Sequence, residues 1–229
     1  LEQNGATPTG IYINVLDNGF VGNGSTDNYS AMSTLLGVIG STPADIFIPK
    51  GTYAIGTSIT IPSNIKLIFA NGGILSPNSG RTITLNCEIN AGLHRIFTGS
   101  GTISGTPAND FVYPEWFGAV GDGVTSDSSA FSKCFTFCSA GNIAIKLTKS
   151  AYNLASLTKT LTNLKIIGSN KNTLKNVAEF TINGDLHLEN ISINEITSKE
   201  FIFIVPTTFS NVYIDNISVT NTAGFTDTT

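Results

Sequence analysis

Charge is scarce in this sequence. Of 229 residues, 12 are Lys or Arg and 16 are Asp or Glu, so charged side chains make up 12% and the formal net charge is −4; an average soluble chain is roughly a quarter charged. A nucleic-acid binder needs a basic stripe to displace counterions, and twelve dispersed cations with an isoelectric point near 5.1 do not form one. Long apolar runs are missing too. Mainly apolar stretches such as 65–70, broken by a single lysine, have strand length, far below the roughly 20 residues of a bilayer-spanning helix, so no membrane partner is expected. The first ten residues lack the apolar stretch of a signal peptide and begin on Leu1, so the chain reads as a fragment or processed piece. With only His94 and His187, a histidine-rich metal site cannot be assembled, and Cys87, Cys134 and Cys138 show no metal-ligand spacing. Neither a Gly-x-Ser-x-Gly elbow nor a His-Glu-x-x-His motif occurs. What is present instead is Ser, Thr, Asn and 23 Gly among 41% hydrophobic residues. That composition excludes a disordered tail and favours an all-β fold with many corners.

The chain repeats itself. At an offset of 99, Val21-Gly22-Asn23-Gly24-Ser25-Thr26 falls on Val120-Gly121-Asp122-Gly123-Val124-Thr125, and Asn64-Ile65-Lys66-Leu67-Ile68 on Asn163-Leu164-Lys165-Ile166-Ile167, without a gap. This predicts a tandem duplication: a lead-in over 1–10, a first unit over 11–108, and a second over 109–229 that stops without a closing element. Within each unit a shorter period appears. Asn64-Ile65-Lys66-Leu67 recurs 22 residues on as Asn86-Cys87-Glu88-Ile89, Asn163-Leu164-Lys165-Ile166 as Asp185-Leu186-His187-Leu188, and a further step of 26 reaches Asn211-Val212-Tyr213-Ile214.

A period of 22 to 26 built from strands of three to five residues is the length of one coil of a parallel β-helix, in which each turn stacks on the last. Leucine-rich repeats share the length but require a Leu-x-x-Leu-x-Leu frame that is absent. A β-sandwich, the structural alternative, would show hairpin turns without in-register stacking. Each unit opens with an amphipathic helix. Asn28 precedes Ala31, Leu35, Leu36 and Ile39; Asp127 precedes Ala130, Phe131, Cys134, Phe135 and Cys138. Both are N-cap residue types. Such a helix would cover the apolar end of a coil stack.

The most distinctive string is Val112-Tyr113-Pro114-Glu115-Trp116-Phe117-Gly118-Ala119-Val120-Gly121-Asp122-Gly123-Val124-Thr125-Ser126-Asp127, with a degenerate copy at Phe20-Val21-Gly22-Asn23-Gly24. It resembles the opening segment of pectate-lyase-like right-handed β-helix domains, and its Tyr-Pro-Glu-Trp-Phe-Gly-Ala prefix is similar to that of bacteriophage tailspikes and capsule depolymerases. The resemblance implies an all-β chain: a right-handed parallel β-helix in two short tandem units, each entered by a capping α-helix. It also implies a homotrimer in the virion tail, outside the cell, with other tail proteins and bacterial surface polysaccharide as partners. Lyases of this fold use calcium held by clustered aspartates with a basic residue. The only arginines, Arg81 and Arg95, lie in the first unit without such a cluster, so neither metal nor cofactor is expected.

Candidate site residues follow from the coil alignment. If Leu186, Leu188, Val212 and Ile214 point inward, alternation turns His187, Glu189, Tyr213 and Asp215 outward. Coils about 4.8 Å apart then stack Lys165, His187 and Tyr213 in one column and set Glu189 beside Asp215. Neighbouring carboxylates repel, so one of the two should hold its proton, and retaining glycosidases keep such a pair about 5 Å apart. Glu189 and Asp215 are therefore the catalytic candidates, against the reading of an ordinary solvated face. His187, Tyr213, Lys165 and Trp116 are the carbohydrate-binding candidates, with Trp116 alternatively a wedge between helix and coil. Asp122 and Asp127 read either as acids or as a turn former and a helix cap. The Gly-x-Gly lacks the third glycine and the lysine of a phosphate loop. Two functions remain: a structural and polysaccharide-recognising part of a tailspike or tail fibre, or a depolymerase, hydrolase or lyase, acting on capsule or O-antigen. Two or three coils give a groove of only about 10–15 Å, which leans against this stretch being catalytic itself.

Overall fold

The computed structural model describes residues 11–141, 143–194, 202–204 and 211–220. Two compact units, Leu1–Asn109 and Asp110–Thr229, divide the chain. The first contains β1 (Ile11–Asn14), β2 (Asn23–Asp27), α1 (Tyr29–Ile39), β3 (Ala44–Ile48), β4 (Gly51–Ile55), β5 (Ile59–Ile61), β6 (Ile65–Phe69), β7 (Gly73–Pro77), β8 (Thr82–Leu85), β9 (Glu88–Asn90) and β10 (Thr102–Ser104). Each strand pairs in parallel with the strand one coil away, giving the sheets β1-β3-β6-β9, β2-β4-β7 and β5-β8-β10. The fold is a parallel β-helix. Apolar residues at alternate positions stack through the register, as in Ile46, Leu67 and Ile89, which are 0%, 0% and 3% exposed. Burying each such side chain stabilises the coil by about 1.5–3 kcal/mol, which rewards this register over a slip of one residue.

The second unit repeats the plan with β11 (Phe111–Val112), β12 (Asp122–Ser126), α2 (Ser128–Gly141), β13 (Ala144–Leu147), β14 (Ala151–Leu161), β15 (Leu164–Ile182), β16 (Leu186–Asn194), β17 (Ile202–Ile204), β18 (Val212–Asp215) and β19 (Ser218–Thr220). Its strands run to 19 residues, well beyond the three to five expected from sequence. The reason lies in the corners: Asn176 within β15 and Asn190 within β16 take left-handed backbone, with φ of 51° and 53°. Such single-residue bends are ones asparagine tolerates, so pairing continues almost unbroken around them.

Both helices begin directly after Asn28 and Asp127, but neither side chain caps its helix as expected. Asn28 Oδ1 accepts from Val21 N at 2.7 Å, and its amide donates to the carbonyls of Val21, Thr26 and Ala54. Asp127 accepts from Val120 N, Gly121 N and Asn153 N. The side chains fold back to tie the incoming loop to the coil, a service with higher return in burial than a cap exposed to water. In the first unit the free N–H of Tyr29 goes instead to Asp27 Oδ1 at 2.9 Å. The loop glycines Gly24 and Gly123 have φ of +78° and +74°, where a side chain would be strained.

Helix α2 lays Phe131, Cys134, Phe135, Phe137 and Cys138 on the coil core, with Phe131 against Tyr152 and Phe135 against Phe180 at ring separations of 5.2 Å. Cys134 and Cys138 are free and buried, and burial holds the Cys134 thiol well above its usual range.

Candidate functional site

The outer face of the sheet formed by β13, β15, β16 and β18 carries the stacked residues. Register pairs Lys165 with His187 and His187 with Tyr213, and sets Glu189 beside Asp215, as the offsets of 22 and 26 predict. Leu186 and Leu188 point inward at 2% exposure. Val212 and Ile214 are 51% and 57% exposed, unlike the buried positions expected for them, because no described coil stacks on the far side of β18.

The imidazole of His187 lies against the Tyr213 ring, with centroids 4.4 Å apart and planes tilted by 37°. Its Nε2 is 3.2 Å from Glu189 Oε2, while Asn190 Nδ2 donates to Glu189 Oε1 at 3.0 Å. Both oxygens of Glu189 are therefore engaged within its own strand and corner. The corner is held by Asn216 Nδ2 donating to Asn190 Oδ1 at 2.7 Å, and the adjoining strand by Ser218 Oγ donating to Ser192 Oγ at 2.9 Å. Tyr213 and Asp215 are exposed, and Lys165, His187 and Glu189 are half-buried. One column of the face thus offers a cation beside a pair of flat rings, and the next offers two carboxylates in line with Lys146. Flat rings stack on the apolar faces of sugars, and carboxylates accept from sugar hydroxyls.

Trp116 is a correction among the sugar-binding candidates. It is 1% exposed, on a single 3-10 turn over Pro114–Phe117, with its ring 5.2 Å from that of Tyr113. A ring enclosed on all sides has no face to offer a ligand, so it acts as the wedge. Asp122 is a turn former: its carboxylate accepts from Val124 N, Thr125 N and Thr125 Oγ1 at 2.7–2.8 Å, bonds that hold it below the usual carboxylate range. Burial pushes Asp127 the other way, above that range, against the three backbone donors that favour its charge.

Glu115 was not singled out by sequence reasoning. It is 3% exposed; its Oε1 accepts from Tyr152 Oη at 2.6 Å and Thr148 Oγ1 at 2.8 Å, and its Oε2 has no partner. Its signal was a lone acid inside the apolar Tyr113–Ala119 string. Lys146 was also missed; its ammonium lies 5.3 Å from the Phe111 ring centre. Among the described residues, no three His, Cys, Asp or Glu side chains converge as metal ligands, so the calcium chemistry of the lyases has no ligand set among them.

A family model described as rhamnogalacturonase A/epimerase, pectate lyase-like, matches residues 12–74. The match lies wholly in the first unit, over β1 to β6 and the start of β7. Neither the curated proteins nor the solved structures provide a match to the chain. The family match and the parallel coils together support the pectate-lyase-like β-helix superfamily. A polysaccharide-related β-helix protein is the class they suggest.

Proposed function

We propose that this chain is the structural and polysaccharide-recognising part of a phage tailspike or tail fibre, and that it contacts bacterial surface polysaccharide through the outer face of the second unit. The observation that carries the binding reading is the Lys165, His187 and Tyr213 column beside Glu189 and Asp215. Tail deployment, a homotrimeric state and other tail proteins as partners rest on the likeness of the Tyr113–Ala119 string to tailspikes. The second reading is a depolymerase, favoured by the adjacency of Glu189 and Asp215. Against it stands the engagement of both Glu189 oxygens by His187 and Asn190, which leaves that carboxylate poorly placed to deliver a proton.

Incubating the chain with capsule and O-antigen preparations, while following both retention and release of reducing or unsaturated ends, tests the two together. Retention without release is expected, with Tyr213→Ala weakening it by about tenfold. Release of ends that Glu189→Gln and Asp215→Asn abolish would establish the depolymerase instead.

A further inference from the structure

The duplication supplies an internal reference for the candidate site. Lys66 and Lys165 occupy equivalent positions on the outer face of the first sheet of each unit. In the first unit the lysine is neutralised: Asp45 and Glu88 are its register neighbours, and its ammonium lies 2.7 Å from Glu88. At the positions equivalent to Asp45 and Glu88 the second unit has Ala144 and His187. Lys165 is half-buried and makes no ion pair or hydrogen bond with any described residue. Two acids flank His187 on the neighbouring coil, and both are engaged: Glu189 by His187 and Asn190, and Asp185 by the backbone and side-chain N–H groups of Asn211.

A partly desolvated cation without a counter-ion is unfavourable in the free protein, and an arriving anion reverses that cost. We infer that this face selects a saccharide unit bearing a carboxylate, with Lys165 as its counter-ion and the His187–Tyr213 pair as the platform beneath its ring. The inference rests on the polysaccharide-binding reading given above. One ammonium, with that of Lys146 over the Phe111 ring and no arginine in the unit's sequence, suits the single charge of a carboxylate better than the double charge of a phosphate monoester. Acids flank the rings on both sides. Glu189 and Asp215 lie two residues along the strands from His187 and Tyr213 on one side, and Asp185 lies two residues from His187 on the other, about 6.7 Å away, where they accept from hydroxyls. The carboxylate is placed by Lys165, the cation of that column. It could belong to a uronic acid or to a pyruvate ketal, which share this chemistry.

An array of bacterial surface polysaccharides probed with the full 229-residue chain provides the test, with uronate-bearing, pyruvate-ketal-bearing, neutral and carboxyl-reduced members. Bound members are expected to carry a carboxylate, the uronate and ketal arms showing which source is used. Carboxyl reduction and Lys165→Gln should each lower affinity by about tenfold or more, and added salt should weaken binding. Lys66→Gln should leave it unchanged. His187→Glu, which recreates the acid of the first unit, should remove the preference while circular dichroism reports an intact fold. Equal binding of carboxyl-reduced polymers, or wild-type binding by Lys165→Gln, overturns selection of an acid and leaves the polysaccharide reading standing. Binding to no member overturns the polysaccharide reading itself.

Discussion

Tyr53 and Tyr152 occupy equivalent positions in the two units, and both are fully buried, yet their hydroxyls have opposite fates. Tyr152 Oη donates to Glu115 and accepts from the backbone N–H groups of Thr148 and Lys149, at 3.1 and 3.0 Å. Tyr53 Oη has no partner. The position equivalent to Glu115 holds Leu16, which is 48% exposed, and that of Thr148 holds Pro49. The backbone plan is shared, and the polar groups set into it are not. The same contrast appears on the surface, where Lys66 is paired and Lys165 is free of any acid. Duplication copies a scaffold whose stability comes from stacked apolar positions, and this leaves polar positions open to diverge.

The sharpest way to break the comparison is to remove both hydroxyls. Tyr152→Phe withdraws a bond to a buried carboxylate and strands two backbone donors, so chemical denaturation should show a loss of about 3–5 kcal/mol. Tyr53→Phe removes an orphan hydroxyl and should be neutral or stabilising by up to about 1 kcal/mol. Equal losses at both positions would show that the hydroxyl network does not distinguish the units.

A second difference lies in the core. Cys87 stands where the second unit has Leu186, and burial pushes its thiol up to about 12 from a usual value of 9.0. A raised thiol keeps its proton in the folded state while the unfolded chain loses it. Stability is therefore fully present below pH 9 and falls as pH rises toward 12, by about 2 kcal/mol between pH 9 and 11. Cys87→Val should flatten that part of the profile. Tyr152, also raised by burial and by Glu115, adds a loss of the same sign at higher pH.

The smallest effect is expected at Asp127, whose counterpart is Asn28. Because burial raises this carboxyl in the folded state, its contribution favours folding at low pH and declines as pH rises through the folded value. Asp127→Asn should retain the acceptor for Val120 N and raise stability at pH 7 by no more than about 1 kcal/mol. A thermal melt series from pH 3 to 7 would show the acid-side slope diminished. An unchanged slope would mean that the carboxyl is not held above its usual range.

Much of the coil register was legible before folding, because it is written in linear spacing. Offsets of 22 and 26 residues placed Leu164 on Leu186 and Leu186 on Val212, and the parallel ladders pair them in that way. The same offsets placed Lys165, His187 and Tyr213 in one column, and period-two alternation turned His187 and Tyr213 outward. Trp116 was less legible, since an aromatic residue in an apolar string reads alike as wedge or platform until its neighbours are known. Nor could spacing show that Asn28 and Asp127 turn back to the loop, because their partners Ala54 and Asn153 lie 26 residues away.

The order of residues by itself determined the duplicated units, the coil period and which side chains face outward, since apolar burial repeats along the chain and a slip by one residue would expose the core. Tertiary structure alone decided which polar groups meet. Hydrogen bonds and ion pairs depend on distances of a few ångströms between side chains from different coils, and so Glu115 became a buried acceptor, Glu189 was bound to His187 and Asn190, and Lys165 was left without an acid.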